Sequence, residues 1–196
     1  MSLESERRVV SDPLALRALA HPLRLKLHAL VGREGSITAA DAARQLGVSQ
    51  ALASHHLRQL AKYGFVEPDD AGDNRARPWR ITATSQNFEP ADSPEAWESV
   101  ETIERYLLDR SATQLADWQQ RRGEADQRWR DHTGISQNLV YLTPDEMAEF
   151  DRAWTALITP LVDRRPLGDP GKRPADAVPV DITLVAAPLP ATPSGG

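Results

Sequence analysis

Two short segments with helical periodicity, residues 39–46 and 50–63, are separated only by Gly47, Val48 and Ser49. So short a link makes consecutive helices cross at a steep angle and prevents them from continuing one another. Gly47 permits the left-handed backbone that ends the first helix, and Ser49 is a favoured N-cap for the second. The pattern therefore predicts a helix-turn-helix, and the rest of the fold must support it.

The flanking residues extend this pair into a winged helix-turn-helix. Asp12-Pro13 predicts the start of one helix, and His21-Pro22 opens another that is rich in leucine. After residue 63, β-rich stretches surround a turn that contains Asp, Gly and Asn, which is typical of two strands of a wing. We therefore predict a winged domain at residues 12–85 with its wing at 67–82.

The second half predicts mostly helix. A linker over residues 83–92 precedes a long helix at 93–132 that is interrupted at Gly123. Another helix, over residues 143–164, begins with a capping box, in which Thr143 is followed three residues later by Glu146. The stripe of apolar residues on the long helix fits packing along one face, so we expect it to be the dimerisation element.

Two short strands are expected in this half, at residues 138–142 and 178–186, the second because apolar and polar residues alternate. Whether they pair within one chain or are exchanged across a dimer stays open. Residues 188–196 are expected to be a disordered tail. The predicted fold class is mainly α with small β: a winged helix-turn-helix domain, a long dimerisation helix and a small α+β C-terminal part, with residues 93–187 as the helical dimerisation and sensing region.

Charge is distributed unevenly along the chain. The net charge is −5, yet residues 17–80 carry ten basic and six acidic side chains. A basic segment on an acidic chain is compatible with a polyanion as the partner of that segment, and chance scatter is the alternative. The absence of cysteine excludes disulfides and thiolate metal sites. No apolar run reaches the length of a membrane span and the N-terminus lacks a secretion signal, so we expect a cytoplasmic protein without membrane contact.

The helix at 50–63 has two distinct faces. Ala53, His56, Leu57 and Leu60 form an apolar face that suits the core. The other side carries small and polar residues that suit a major groove, because short side chains let the backbone approach while donors and acceptors meet base edges. A merely solvated helix face is the alternative interpretation. The DNA-contacting residues that we predict on this helix and its cap are Ser49, Gln50, Ala51, Ser54, His55 and Arg58.

The wing contributes two further predicted DNA contacts, Arg75 and Arg77, near its tip. Guanidinium groups there suit phosphates or the adjacent minor groove. Acidic residues at 69, 70 and 73 in the same turn weaken that prediction.

Residues 14–82 resemble the ArsR-type winged helix-turn-helix transcriptional regulators. The resemblance lies in the stretches ALRALAHPLRLKLHALV, ITAADAARQLGVSQALASHHLRQLAKYGFVE and RARPWRIT. It implies double-stranded DNA as partner, a homodimer, a wing along the flanking DNA, and a recognition helix whose contacts are Gln50, Ala51, Ser54, His55 and Arg58. One departure matters: metal-sensing members carry a cysteine box on the third helix, whereas that helix here reads AADAARQLG. The chain therefore resembles the branch without metal-binding cysteines, and we expect no metal and no cofactor.

The signal that such a regulator would sense is left open by the sequence. Trp97, Trp118, Trp129 and Trp154 either line an apolar pocket for a small-molecule effector or pack in the core or dimer interface.

Catalytic motifs are absent from the sequence: it has no Gly-rich phosphate loop, no GxSxG and no HExxH, so we expect no enzymatic activity. The sequence thus predicts a DNA-binding transcriptional regulator, a repressor more than an activator, that joins the nucleoid when bound. A winged helix that docks proteins without specific DNA recognition is the alternative.

Overall fold

The computed structural model describes residues 8–69, 77–83, 86–89, 93–165 and 170–190. Four helices build the N-terminal half in the order that the sequence predicts. They are α1 (Pro13–Leu19), α2 (Pro22–Glu34), α3 (Ala39–Leu46) and α4 (Gln50–Lys62). A short wing follows them, and the chain is otherwise mainly helical, which confirms the predicted fold class.

Side-chain caps begin these helices where the sequence places them. The Asp12 carboxylate caps α1 and the Thr38 hydroxyl caps α3, each by accepting a backbone N–H. The cap of α2 is an imidazole, since His21 Nδ1 accepts the N–H of Leu23 at 3.1 Å. A protonated Nδ1 has no free lone pair, so this cap requires His21 to accept through a neutral ring.

The apolar faces of the four helices meet in a single core with the base of the wing. Phe65 is completely buried at its centre, and the His28 ring meets it edge-on at a centroid distance of 6.0 Å. The largest completely buried side chains are Phe65, Leu16, Leu19, Leu27, Leu57, Leu60, Ile103, Val31 and Val66. Because these residues come from α1, α2, α4, the wing and the later helix α5 (Pro94–Arg121), the core holds the winged domain and the start of the second half together.

The wing consists of β2 (Val66–Pro68) and β3 (Trp79–Ile81), which pair antiparallel with Glu67 opposite Arg80. Ile37 adds a one-residue bridge, exchanging both backbone hydrogen bonds with Trp79 at 3.0 and 2.8 Å. The predicted wing strands are therefore present, and the tip between them, residues 70–76, lies outside the described residues.

A second small sheet joins the start of the described chain to the segment after the wing. β1 (Arg8–Val10) pairs in parallel with β4 (Gln86–Phe88). This corrects the expectation of a plain linker over residues 83–92. Strands of three residues that lie far apart in the sequence carry no local pattern, so only the folded core brings them together.

The second half opens with α5 (Pro94–Arg121), whose first turns pack against α1 through buried residues at 96, 99, 100 and 103. A 3-10 turn at Arg122–Glu124 separates α5 from the short α6 (Gln127–Arg130). The predicted interruption at Gly123 is therefore present. None of the described helices is long and apolar enough to cross a membrane.

The last helix, α7 (Pro144–Arg164), begins with the predicted capping box of Thr143 and Glu146. Although its sequence carries many apolar residues, none of them is fully buried. On the C-terminal side of Leu107, α5 likewise contributes no residue to the core. The second half of the described chain therefore leaves most of its apolar side chains in contact with water.

The two strands predicted in this half are not formed in the described residues: the segments at 138–142 and 178–186 have no strand partner. Asp181 pairs with Arg110 of α5 at 3.0 Å, and Thr183 Oγ1 lies 2.6 Å from Ser111 Oγ. The polar side chains thus face α5, while the apolar residues 178, 180, 182 and 184 are exposed. Alternation defines two faces of an extended segment, but it does not determine which face the tertiary structure covers.

The half-buried imidazole of His28, beside the core residue Phe65, is held neutral. Its removal from water, followed by the charges of Arg8 and Arg110, lowers the pKa of His28 to about 4. Gln86 Nε2 lies 3.1 Å from His28 Nε2, a contact in which the neutral ring nitrogen accepts. In the unfolded chain the pKa returns to about 6.5. The unfolded state therefore binds the proton more tightly, and the stabilisation from neutral His28 is complete above pH 6.5 and is lost as the pH falls toward 4.

We expect acidification to destabilise the protein through His28. Between pH 7.5 and 5.0 the free energy of unfolding should fall by about 2 kcal/mol from this residue alone. His28→Gln should remove that part of the pH dependence, whereas His132→Gln, which removes an exposed imidazole, should keep the wild-type slope. Urea unfolding at both pH values measures the slopes, and an equal pH dependence in wild type and His28→Gln would show that His28 titrates normally in the fold.

Ile103 should anchor α5 to the winged domain, because its side chain is completely buried in the shared core. Truncation at Ile103→Ala should lower the free energy of unfolding by roughly 2–4 kcal/mol through lost contacts and a residual cavity. Leu108→Ala removes a half-exposed side chain five residues later on the same helix and should cost less than about 1 kcal/mol. Thermal and urea unfolding of both variants would reject this role if their losses of stability were equal.

Candidate nucleic-acid interface

One face of α4 is seated in the core and fixes the orientation of the helix. Ala53, His56, Leu57 and Leu60 are buried, as the sequence predicts for this face. Apolar packing of these residues against α2 and α3 determines which side chains of α4 remain outside. The position of every outward residue on α4 therefore depends on this contact.

The opposite side of α4 is open to solvent and carries short or polar side chains. Gln50, Ala51, His55 and Arg58 are exposed, and Ser54 is half-buried beside them. Arg58 Nη1 donates to Ser54 Oγ at 3.3 Å, so the guanidinium lies along the helix one turn back toward its start. Hydrogen-bonding groups with a cation on a low-profile helix face match what the major groove requires.

The first turn of α4 is exposed and well capped. Gly47 has φ +65°, the left-handed conformation expected at the end of α3, and its successor Val48 donates to the Ala43 carbonyl at 3.0 Å. Ser49 Oγ accepts the Leu52 N–H at 3.2 Å. The remaining N–H groups of this turn and the positive end of the helix dipole face outward, an arrangement that favours phosphate oxygens.

Sequence analysis missed the contact that closes the other end of α4. The Arg8 guanidinium donates to the carbonyl oxygens of Gly64 and Tyr63, the latter at 2.6 Å, and it lies 4.7 Å from the centre of the Phe65 ring. Thr82 Oγ1 also donates to the Gly64 carbonyl, at 2.5 Å. A cation at the carbonyl end of a helix opposes its dipole and satisfies otherwise free acceptors. No local pattern around Arg8 indicates this contact, because its partners lie more than fifty residues away.

A second missed residue, Lys62, lies on the same outward side of α4 as His55 and Arg58 and is exposed. Its ammonium group lies 5.4 Å from the centre of the Tyr63 ring. The helical period places position 62 with positions 55 and 58, so this signal was present in the sequence. Lys62 extends the cationic character of the face toward the end of the helix.

Histidines form the junction between α4 and the start of α2. The rings of His21 and His56 lie 4.7 Å apart, and His55 meets His56 edge-on at 5.3 Å. Burial, and then the neighbouring Arg24, lower the pKa of His21. Burial, followed by His21, Arg24 and His55, lowers the pKa of His56. Both rings are therefore biased toward the neutral form, which keeps the His21 cap intact under the recognition helix.

The wing supplies fewer of the predicted contacts. Arg77 is exposed next to β3, while Arg75 lies outside the described residues. Arg80 pairs with Glu67 across the two strands at 2.7 Å, so its charge is largely compensated. The structure therefore gives the position of only one of the two predicted wing arginines, and the side chain of that residue is exposed.

The four tryptophans of the second half are dispersed. Trp97 and Trp129 are exposed, while Trp118 and Trp154 are half-buried, and no two of these four rings are in contact. Trp118 packs under the Arg121 guanidinium at 5.3 Å, and its indole N–H has no hydrogen-bond partner. Within one chain, the structure does not bring these side chains together. Across the described ranges, no three His, Asp or Glu side chains are grouped so that they could hold a metal ion.

One comparison with known proteins identifies the helix-turn-helix. Residues 19–69 match the model of a family described as a helix-turn-helix domain. No curated protein matches the sequence. Among solved structures, the chain is similar to a double mutant of Lactococcus lactis ZitR in its apo form, at 15% identity over 71% of this chain and 83% of that chain, with a TM-score of 0.30. A second structure of the same mutant gives 15% identity over 70% and 74%, with a TM-score of 0.29. Residues 19–69 therefore form a helix-turn-helix domain, a unit that regulators use to bind DNA.

Proposed function

We propose that the chain is a sequence-specific DNA-binding transcriptional repressor of the ArsR type that acts as a homodimer. The observation that carries the proposal is the asymmetry of α4. Its apolar residues are buried in the core, and its polar face stands open at the end of a helix-turn-helix. A helix held in this manner can enter the major groove without unfolding any other part of the domain.

Affinity and base preference come from different groups in this proposal. The exposed first turn of α4, Arg77 and Lys62 meet phosphates and position the domain on the duplex. Gln50 and Arg58 meet base edges, because an amide reads adenine and a guanidinium reads guanine by paired hydrogen bonds. His55 and Ser54 add further hydrogen bonds in the same groove. The local basic segment explains how an acidic chain attracts DNA with one region only.

A homodimer follows from the way such domains read DNA. One recognition helix spans only a few base pairs, and two of them related by a two-fold axis read half-sites about one helical turn apart. A dimer that covers its operator blocks other proteins from the same DNA, so we propose repression as the outcome of binding.

The helix face is tested by reversing its charge. We expect the double substitution His55→Glu and Arg58→Glu to abolish competitor-resistant binding to the DNA upstream of the gene. Arg58→Ala alone should weaken specific binding by about 1–3 kcal/mol if the guanidinium reads a guanine. Arg105→Glu makes at an exposed position of α5 the same reversal that Arg58→Glu makes on α4, and it should bind as wild type does. Fluorescence anisotropy with a salt titration and excess nonspecific DNA measures each affinity.

Wild-type binding to a selected DNA sequence that survives the double reversal would reject the major-groove role of α4. If neither upstream DNA nor sequences selected from a random pool bind better than competitor, the domain docks protein instead. Size-exclusion chromatography of the double variant confirms that its assembly matches the wild type, so the lost affinity can be assigned to the helix face.

Ser49 separates the stability of α4 from its contact with DNA. Ser49→Ala removes the N-cap and should lower the free energy of unfolding by about 1 kcal/mol. Ser49→Asp keeps a capping oxygen, so its stability should equal or exceed that of wild type, but it adds a negative charge at the end of the helix that faces phosphate. We expect Ser49→Asp to bind DNA more weakly than Ser49→Ala despite being more stable. Equal or tighter binding by Ser49→Asp would place this helix end away from the DNA.

A further inference from the structure

An apolar stripe on α7 has the spacing of a helix that pairs with another helix. Met147, Phe150, Trp154, Leu157 and Leu161 follow one another at steps of three, four, three and four residues. This repeat is the seam of two packed helices. Yet Phe150, Leu157 and Leu161 are 44%, 64% and 46% exposed, and α7 buries no residue. The seam is therefore present and unfilled within one chain.

Exposed apolar side chains in the second half of the chain extend beyond α7. The apolar residues 178, 180, 182 and 184 add a second uncovered face in the same half. A partner large enough to bury these surfaces is needed for the second half to be compact.

We propose that α7 packs against α7 of a second copy of this chain, antiparallel, with the two-fold axis passing near Trp154. The proposal deepens the proposed function, on whose homodimer it rests, by assigning the interface to α7. Trp154 lies at the middle of the seam, so a two-fold axis there brings Met147 of each copy opposite Leu161 of the other, and the seam of each copy fills that of the other.

Charge on α7 selects the antiparallel orientation. Acidic residues outnumber basic ones near its start, with Asp145, Glu146, Glu149 and Asp151 against Arg152. Basic residues outnumber acidic ones at its far end, with Arg164 and Arg165 against Asp163. Glu146 and Arg164 lie on the same flank of the seam, because eighteen residues make five full turns. Antiparallel packing brings each acidic end beside the partner's basic end, whereas parallel packing would bring like charges together. The second copy thus complements α7 in charge as well as in shape.

A charge placed in the seam tests the interface. We expect wild-type protein to sediment with about twice the mass of the 21.6 kDa chain. Leu157→Glu should raise the dimer dissociation constant by at least about tenfold, since it places a carboxylate among apolar side chains. Ala156→Glu, one residue away and on the opposite side of α7, should leave the constant unchanged. Leu157 is exposed in the single chain, so neither variant should change the circular dichroism of the fold.

Disulfide trapping tests the orientation, and the absence of cysteine makes the background clean. Met147→Cys mixed with Leu161→Cys should give a cross-linked dimer, while neither variant should cross-link alone. In the antiparallel pair, the two copies of position 161 are separated by about 21 Å along the axis, which is beyond the reach of a disulfide. Cross-linking of Leu161→Cys with itself and not with Met147→Cys would overturn the antiparallel arrangement.

The outcomes separate this inference from the proposed DNA function. A wild-type monomer at micromolar concentration, or equal dimerisation by Leu157→Glu and Ala156→Glu, overturns the α7 interface. Specific DNA binding under either outcome would still support the proposed role of α4. Conversely, a dimer that responds to Leu157→Glu but binds no DNA sequence selectively would retain the α7 interface and reject the regulator.

Discussion

Hydrogen bonds at the carbonyl end of α4 join parts of the chain that are far apart in the sequence. Arg8 and Thr82 both donate to the Gly64 carbonyl, and Phe65 is buried directly after it. Carbonyls at the end of a helix are strong acceptors that need partners, so this junction attracts donors from otherwise separate parts of the chain. β1 and the end of the wing are thereby joined to the helix that presents the candidate DNA-contacting face.

The same junction connects the winged domain to the second half. β1 carries Arg8 and pairs with β4, which leads into α5 a few residues later. Ile103 of α5 then enters the core that also contains Phe65. Strand pairing, hydrogen bonds and core packing thus join β1, β4 and α5 to the carbonyl end of α4.

Most helices could be predicted from the sequence because their boundaries are set by local chemistry. Asp12, Thr38, Ser49 and Thr143 each cap the helix that the sequence assigns to them, and α7 has its full capping box. The two faces of α4 could also be predicted, since the helical period alone assigns its buried residues. The Arg8 contact and the β1–β4 sheet could not be predicted from the sequence, because both join residues that are distant in the chain.

What the sequence determined by itself is therefore local: where helices begin and end, the turn at Gly47, and which faces are apolar. The tertiary structure decided which of those faces are covered. Residues 178–186 show the difference. Their alternation predicted an apolar and a polar face, but it is the polar face that lies against α5, through Asp181 and Thr183. Burial depends on what lies opposite a face, and none of the described residues covers the apolar faces of α7 and of this segment. Local sequence patterns determine the caps of helices and the directions of side chains, whereas the burial of a face depends on all the elements that pack around it.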